Sequence, residues 1–248
     1  MADPYLLMWL EAPLQSWGAD SRFGRRDTLD FPTRSGVLGL ICCALGRGGE
    51  EQAWLARMAA CPQSVIAYTR TRPGGEGKRV KALREPLLRD FQMVGSGFDD
   101  RDPWQTLLIP KKSDGKKASK PSTNTSQLYA GAKITHRYYL QDMAYAVITP
   151  LPESEASAIA GALQNPCWDL YLGRKSCVPT DLIYRGLFDS EQEAEAAAAA
   201  IAEEKERAVD FRVLPGERDG EVLTLNDVPV RFGPRKLYRD RRVTVLPP

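Results

Sequence analysis

The sequence predicts an α+β domain: a ferredoxin-like or RRM-type core (βαββαβ) interrupted by a long polar excursion and followed by a small C-terminal extension. Three observations lead there. Short apolar runs of strand length alternate with segments of helical period. A long polar, Lys-rich stretch interrupts that alternation between residues 110 and 127. An alanine-rich helix and short strands follow the last core element. The corresponding division is a core domain over 1–187, with the excursion at about 80–132, and an extension over 188–248.

The elements follow in order. Tyr5 to Leu10 is a continuous apolar run ended by Pro13, a strand buried on both faces. After an Arg-rich loop, Val37, Leu38, Ile41, Ala44 and Leu45 form one helical face, which Thr33 or Ser35 can cap and Gly46 ends. A second helix over 50–60 presents Trp54, Leu55 and Met58, and Val65 to Arg70 is the next strand. Arg84 to Val94 and Thr106 to Ile109 read as strands of the excursion. Ile134 to Thr149 is a long β-branched and aromatic strand, bent near Asp142. A helix over 154–163, a strand over 168–172 and a helix over 190–209 complete the pattern, with short strands from Phe211 onward.

Composition narrows the function. At 248 residues, 43% hydrophobic and 27% charged, the chain has enough apolar residues for a sizeable core. No apolar run approaches the ~20 residues that span a bilayer. The N-terminus lacks a basic segment and a cleavage site, so a cytoplasmic location is expected, with no membrane partner. The five cysteines are odd in number and lack a Cys-x-x-Cys pair, which points to reduced core residues. With one histidine and no clustered ligands, no metal or cofactor is expected. Residues 1–140 hold 21 Lys and Arg against 14 Asp and Glu, whereas 141–248 hold 13 against 18. The balances of +7 and −5 place any footprint for an anionic partner in the first half.

Several residue groups suit a nucleic acid. Phe31-Pro-Thr-Arg-Ser-Gly36 opens a helix, where free amides and the dipole favour phosphate; an ordinary cap is the alternative. Gly173-Arg-Lys-Ser176 places two cations after a glycine, either a phosphate grip or an exposed turn. Trp17, Tyr138 and Tyr139 suit base stacking or the core. His136 is the one side chain fitted for acid–base work near neutral pH, with Lys133 close by. A basic cluster of Arg231, Arg235, Lys236, Arg239, Arg241 and Arg242 has no assigned role.

Leu10-Glu-Ala-Pro-Leu-Gln-Ser-Trp-Gly18 and Phe31-Pro-Thr-Arg-Ser-Gly-Val-Leu-Gly-Leu40 closely resemble the opening of the CasD family, the fifth-family CRISPR-associated subunits of type I-E Cascade, within the RAMP superfamily. Thr135-His-Arg-Tyr-Tyr-Leu-Gln-Asp142 and Gly173-Arg-Lys-Ser-Cys177 resemble its later signatures. The likeness covers most of residues 5–185 and is weak beyond about Phe188. It implies a modified ferredoxin-like or RRM core with an inserted β-hairpin thumb, placed at about 80–132, in a non-catalytic subunit that binds the CRISPR RNA 5′ handle and contacts the Cascade backbone and large subunits. Target DNA is a further partner that the resemblance allows, through the assembled complex. The expected RNA-contacting set is Trp17, Gly18, Arg26, Arg34, Ser35, Gly36, Lys133, His136, Arg137, Tyr138, Arg174, Lys175 and Ser176. Lys111, Lys112, Lys116 and Lys117 are expected on the thumb, at a partner. In type I-C relatives the corresponding subunit processes the RNA itself with a Tyr, a Lys and a His. A metal-independent endoribonuclease using His136 and Lys133 is therefore the alternative.

Overall fold

The computed structural model describes residues 3–18, 21, 24–94 and 133–248. It is an α+β protein with antiparallel sheets and, among the described residues, four α-helices. The strands are β1 (Tyr5–Glu11), β2 (Leu14–Gln15), β3 (Trp17–Gly18), β4 (Arg25–Arg26), β5 (Thr28–Leu29), β6 (Ser64–Pro73) and β7 (Arg79–Lys81). They continue with β8 (Leu88–Val94), β9 (Lys133–Gln141), β10 (Ala144–Pro150), β11 (Tyr184–Phe188), β12 (Arg207–Pro215), β13 (Glu221–Arg231) and β14 (Leu237–Leu246). The helices are α1 (Arg34–Ala44), α2 (Gln52–Ala59), α3 (Glu153–Gln164) and α4 (Glu191–Glu204).

The main sheet runs β11-β1-β10-β6-β12-β14-β13, with β7 paired to β6. β1, an interior strand of this sheet, explains the apolar N-terminal run. Leu6, Met8 and Leu10 join a core shared with α1, α2 and α3, while Leu7 and Trp9 join a second core under α4. Both faces of β1 are covered, so no polar alternation is needed. The alanine run of α4 also has a packing reason. Ala194, Ala198 and Ala202 recur every fourth residue and lie against the core that holds Trp9 and Tyr68. Those two rings are 5.2 Å apart between centroids. Small side chains let the helix approach a sheet face already filled by large ones.

The expected bend falls at Asp142, in the left-handed region at φ 52°, and separates β9 from β10. β9 leaves the main sheet and pairs antiparallel with β8, Leu88 opposite Tyr139 through Val94 opposite Lys133. The two strands flank residues 95–132; the proposed strand at Thr106 to Ile109 and the thumb lysines Lys111, Lys112, Lys116 and Lys117 lie outside the described residues.

Three expectations need correction. Residues 168–172 form no strand: Leu172 exchanges backbone bonds with Ser16 and Cys177 instead, and β11 takes the free edge of β1. α4 stops at Glu204, because Glu206 turns left-handed at φ 54° and Arg207 opens a strand along β6. The tail strands are long, at 9, 11 and 10 residues, and hydrogen bonds between β12 and β6 carry them into the main sheet. All five cysteines are free thiols. Burial pushes the Cys42 thiol up to about 12, which leaves it protonated and inert at neutral pH.

Candidate nucleic-acid interface

The two Arg-bearing signatures end in different places. Arg34 begins α1 but is only 2% exposed, with its guanidinium turned inward. One nitrogen donates to the Met58 carbonyl at 2.5 Å and another to Thr149 Oγ1 at 3.3 Å. Burial, with Arg241 nearby, lowers its pKa to about 10, opposed by Asp227. The side chain stays charged at neutral pH and ties α1 to α2 and β10. The guanidinium that the sequence reading assigned to RNA thus faces the interior and does not line the groove described below. The helix end is also partly filled: the Arg34 amide donates to Asp227 Oδ2 at 2.7 Å, and the Gly36 amide to Thr33 Oγ1 at 3.1 Å. Thr33 is the cap, and Ser35 lies inside the helix.

Gly173 to Ser176 lies at the surface. The backbone of Gly173 is left-handed at φ 104°, and a Cβ there would collide with the Ser16 carbonyl. Only glycine lets the loop approach β3 this closely. Arg174 then reaches across the gap. It donates to the Tyr138 carbonyl at 3.1 Å and the Arg26 carbonyl at 2.9 Å, and its guanidinium lies 4.5 Å from the Tyr139 ring centroid. These contacts make Arg174 a strut joining the loop to β4 and β9. Lys175 and Ser176 remain exposed beyond it.

A groove of about 380 Å³ collects these segments. Gly18, Arg26, Ser35, Gly36 and Arg174 line it, with Trp17 below. Gly36 is tightly placed, since a Cβ would come within 3.0 Å of the Trp17 ring. Three segments far apart in sequence thus meet at one groove. Arg26 and Lys175 are exposed and, among the described residues, have no side-chain hydrogen bond or ion pair. Arg26 lines the groove and Lys175 follows its lining residue Arg174 in sequence; such exposed cations beside a closely approached backbone can hold a phosphate chain.

Of the aromatic residues read as stacking or core, Trp17 and Tyr139 lie in the core. Trp17 is 1% exposed, and its ring nitrogen donates to Gln15 Oε1 at 3.1 Å. It is a floor and not a stacking platform. Tyr139 is buried under Arg174, and Arg25 lies 5.0 Å over Tyr138. On β9, Arg137 pairs in register with Arg26, and Lys133 with Val94. His136 is half-buried; its Nδ1 accepts from Arg89 Nε at 3.2 Å, and its ring is tilted 5.4 Å from Phe91. Sequence reasoning missed the last wall, made by Phe232, Lys236 and Tyr238 from the β13–β14 hairpin. The basic cluster was its only signal.

A family model described as CRISPR-associated protein (Cas_Cas5) matches residues 5–244. The chain belongs to that family. The match runs well past Phe188 and includes the hairpin wall of the groove. The CRISPR system Cascade subunit CasD of Escherichia coli (strain K12) is 28% identical over 190 residues, covering 73% of this chain and 70% of that protein. A solved chain described as part of a CRISPR RNA-guided surveillance complex aligns with a TM-score of 0.64 at 28% identity, covering 98% of this chain and 89% of its own. A second, described as a Cas protein crystal structure, gives 0.55 at 27%, covering 98% and 95%. Among the described residues of this family member, no helix is long and apolar enough to cross a membrane.

Proposed function

We propose that this protein is a non-catalytic subunit of a type I-E Cascade surveillance complex in the cytoplasm. It holds the 5′ handle of the CRISPR RNA and helps join the backbone and large subunits, with target DNA met only through the assembled complex. The carrying observation is the groove in which β3, the start of α1 and the Gly173 loop converge, lined by Arg26 and Arg174, with the exposed Lys175 next to Arg174 in sequence. Single-stranded RNA presents phosphates and splayed bases to such a surface. Family membership and the naming of the E. coli relative as a Cascade subunit support the Cascade part of this reading.

The fold proposal is a ferredoxin-like core. The order β11-β1-β10-β6, with α1 after β1 and α3 after β10, supports it. The β8–β9 pair is the proposed root of the thumb. His136 serves as a contact residue in this account. Its Nδ1 lone pair is engaged by Arg89, and its ring is held against Phe91.

The test is incubation with cognate repeat RNA in EDTA, followed on a denaturing gel beside His136→Ala. Intact RNA with both proteins is expected. Cleavage at one position that requires His136 would instead identify the processing nuclease.

A further inference from the structure

The groove has cations from the sequence motifs but has lost its expected stacking rings. Trp17 is a buried floor, Tyr139 lies beneath Arg174, and Tyr138 is covered by Arg25. Its remaining aromatic walls are Phe232 and Tyr238, both half-buried and both from the C-terminal hairpin. Lys236 stands between them in sequence and is exposed on the same groove.

The hairpin is held at this position by a specific latch. Asp227 of β13 accepts the first amide of α1 at 2.7 Å. Arg241 of β14 clamps the same carboxylate with two bonds, at 2.7 and 2.9 Å. The latch is buried, with Asp227 only 5% exposed. It also separates the basic cluster into distinct roles. Arg241 belongs to the latch, Arg242 is paired with Glu217, and Arg231 donates to the Arg235 carbonyl. Arg235, Lys236 and Arg239 have no side-chain acceptor among the described residues, and of these only Lys236 lines the groove.

We infer that the β13–β14 hairpin is the third wall of the RNA site, with Lys236 on a backbone phosphate and Tyr238 and Phe232 stacking on an adjacent unpaired base. This inference rests on the handle-binding reading and assigns the base-stacking role within that site. A base enters between the hairpin and the Ser35–Gly36 edge, while its phosphate lies between Lys236 and Arg26. Stacking tolerates any base, so this wall contributes affinity with little sequence preference.

The experiment measures binding of single-stranded RNA carrying the cognate 5′ handle to the full chain across a salt series. Lys236→Ala is expected to weaken binding and to reduce the log–log salt slope by about 0.7, the value for one lost single-strand phosphate contact. Tyr238→Ala should weaken binding roughly fivefold or more with the slope unchanged, and Tyr238→Phe should restore it. Arg239→Ala, on the same strand but off the groove, should match the wild type. Thermal melting of each variant establishes that the hairpin remains folded. If Lys236→Ala and Tyr238→Ala bind like the wild type while Arg26→Ala is weakened, the hairpin wall is wrong and the handle reading stands. If Arg239→Ala loses as much as Lys236→Ala, the hairpin supplies only a diffuse field and the wall is again wrong. If the wild type fails to prefer the handle over single-stranded DNA or unrelated RNA, the handle reading itself fails.

Discussion

The Phe31–Gly36 segment and the Gly173–Ser176 loop each combine glycine, a hydroxyl and an arginine, yet the fold uses them in opposite directions. Arg34 is directed into the protein, where carbonyl and hydroxyl acceptors hold it. Arg174 lies along the surface and braces the loop that carries Lys175. The difference teaches that a cation beside a helix start identifies a phosphate site only when its side chain is still accessible. At the first segment, what remains available is the Ser35–Gly36 edge of the groove.

The comparison can be broken most severely at Arg34. Arg34→Met removes the donors to Met58 and Thr149 and leaves their oxygens buried, so a loss of about 3 kcal/mol is expected. Chemical denaturation measures it. The salt slope of RNA binding by the protein that remains folded should be unchanged, and a reduced slope would return Arg34 to the RNA.

Gly173→Ala comes next. It forces a Cβ onto the Ser16 carbonyl at a left-handed backbone position, and about 2 kcal/mol of strain is expected. Because the loop must retreat, melting temperature and handle affinity should fall together. Loss of affinity without loss of stability would mean that the loop is less tightly seated than described.

Acid separates inward cations by their partners. Glu11 accepts from Trp9 at 2.8 Å and from Arg207 at 2.6 Å, with Lys205 at 3.1 Å. Burial pushes its pKa up, but these bonds outweigh it and hold the carboxyl below its usual value. The resulting stability is fully present above the unfolded value of about 4.3 and is lost as pH falls through the lower folded value. Glu11→Gln should destabilise the protein at neutral pH by about 1–2 kcal/mol and flatten its acid unfolding between roughly pH 5 and 2. An unchanged acid limb would remove Glu11 from that account. The guanidinium bonds of Arg34 go to neutral acceptors and should show no such dependence.

Much of this organisation was legible in the sequence because its causes are local. The unbroken run from Leu6 to Leu10 reports a strand with two covered faces, and Thr33 reports a helix start. The turn at Asp142 follows from a residue that tolerates the left-handed region. Other features depend on distant partners. Arg34 is buried because Met58 and Thr149 arrive with acceptors, and the hairpin reaches the groove because Asp227 caps a helix 193 positions away. The apolar content of Trp168 to Leu172 suggested a strand, but β11 occupies the edge it would have needed.

The smallest effect on stability carries the most direct test. Arg26→Ala combined with Lys175→Ala removes two exposed side chains and should change stability by less than about 0.5 kcal/mol. Handle-RNA affinity measured across a salt series should fall, with its log–log slope reduced by about 1.4 for two lost phosphate contacts. Wild-type affinity with an unchanged slope would contradict the claim that these exposed cations at and beside the groove hold the RNA.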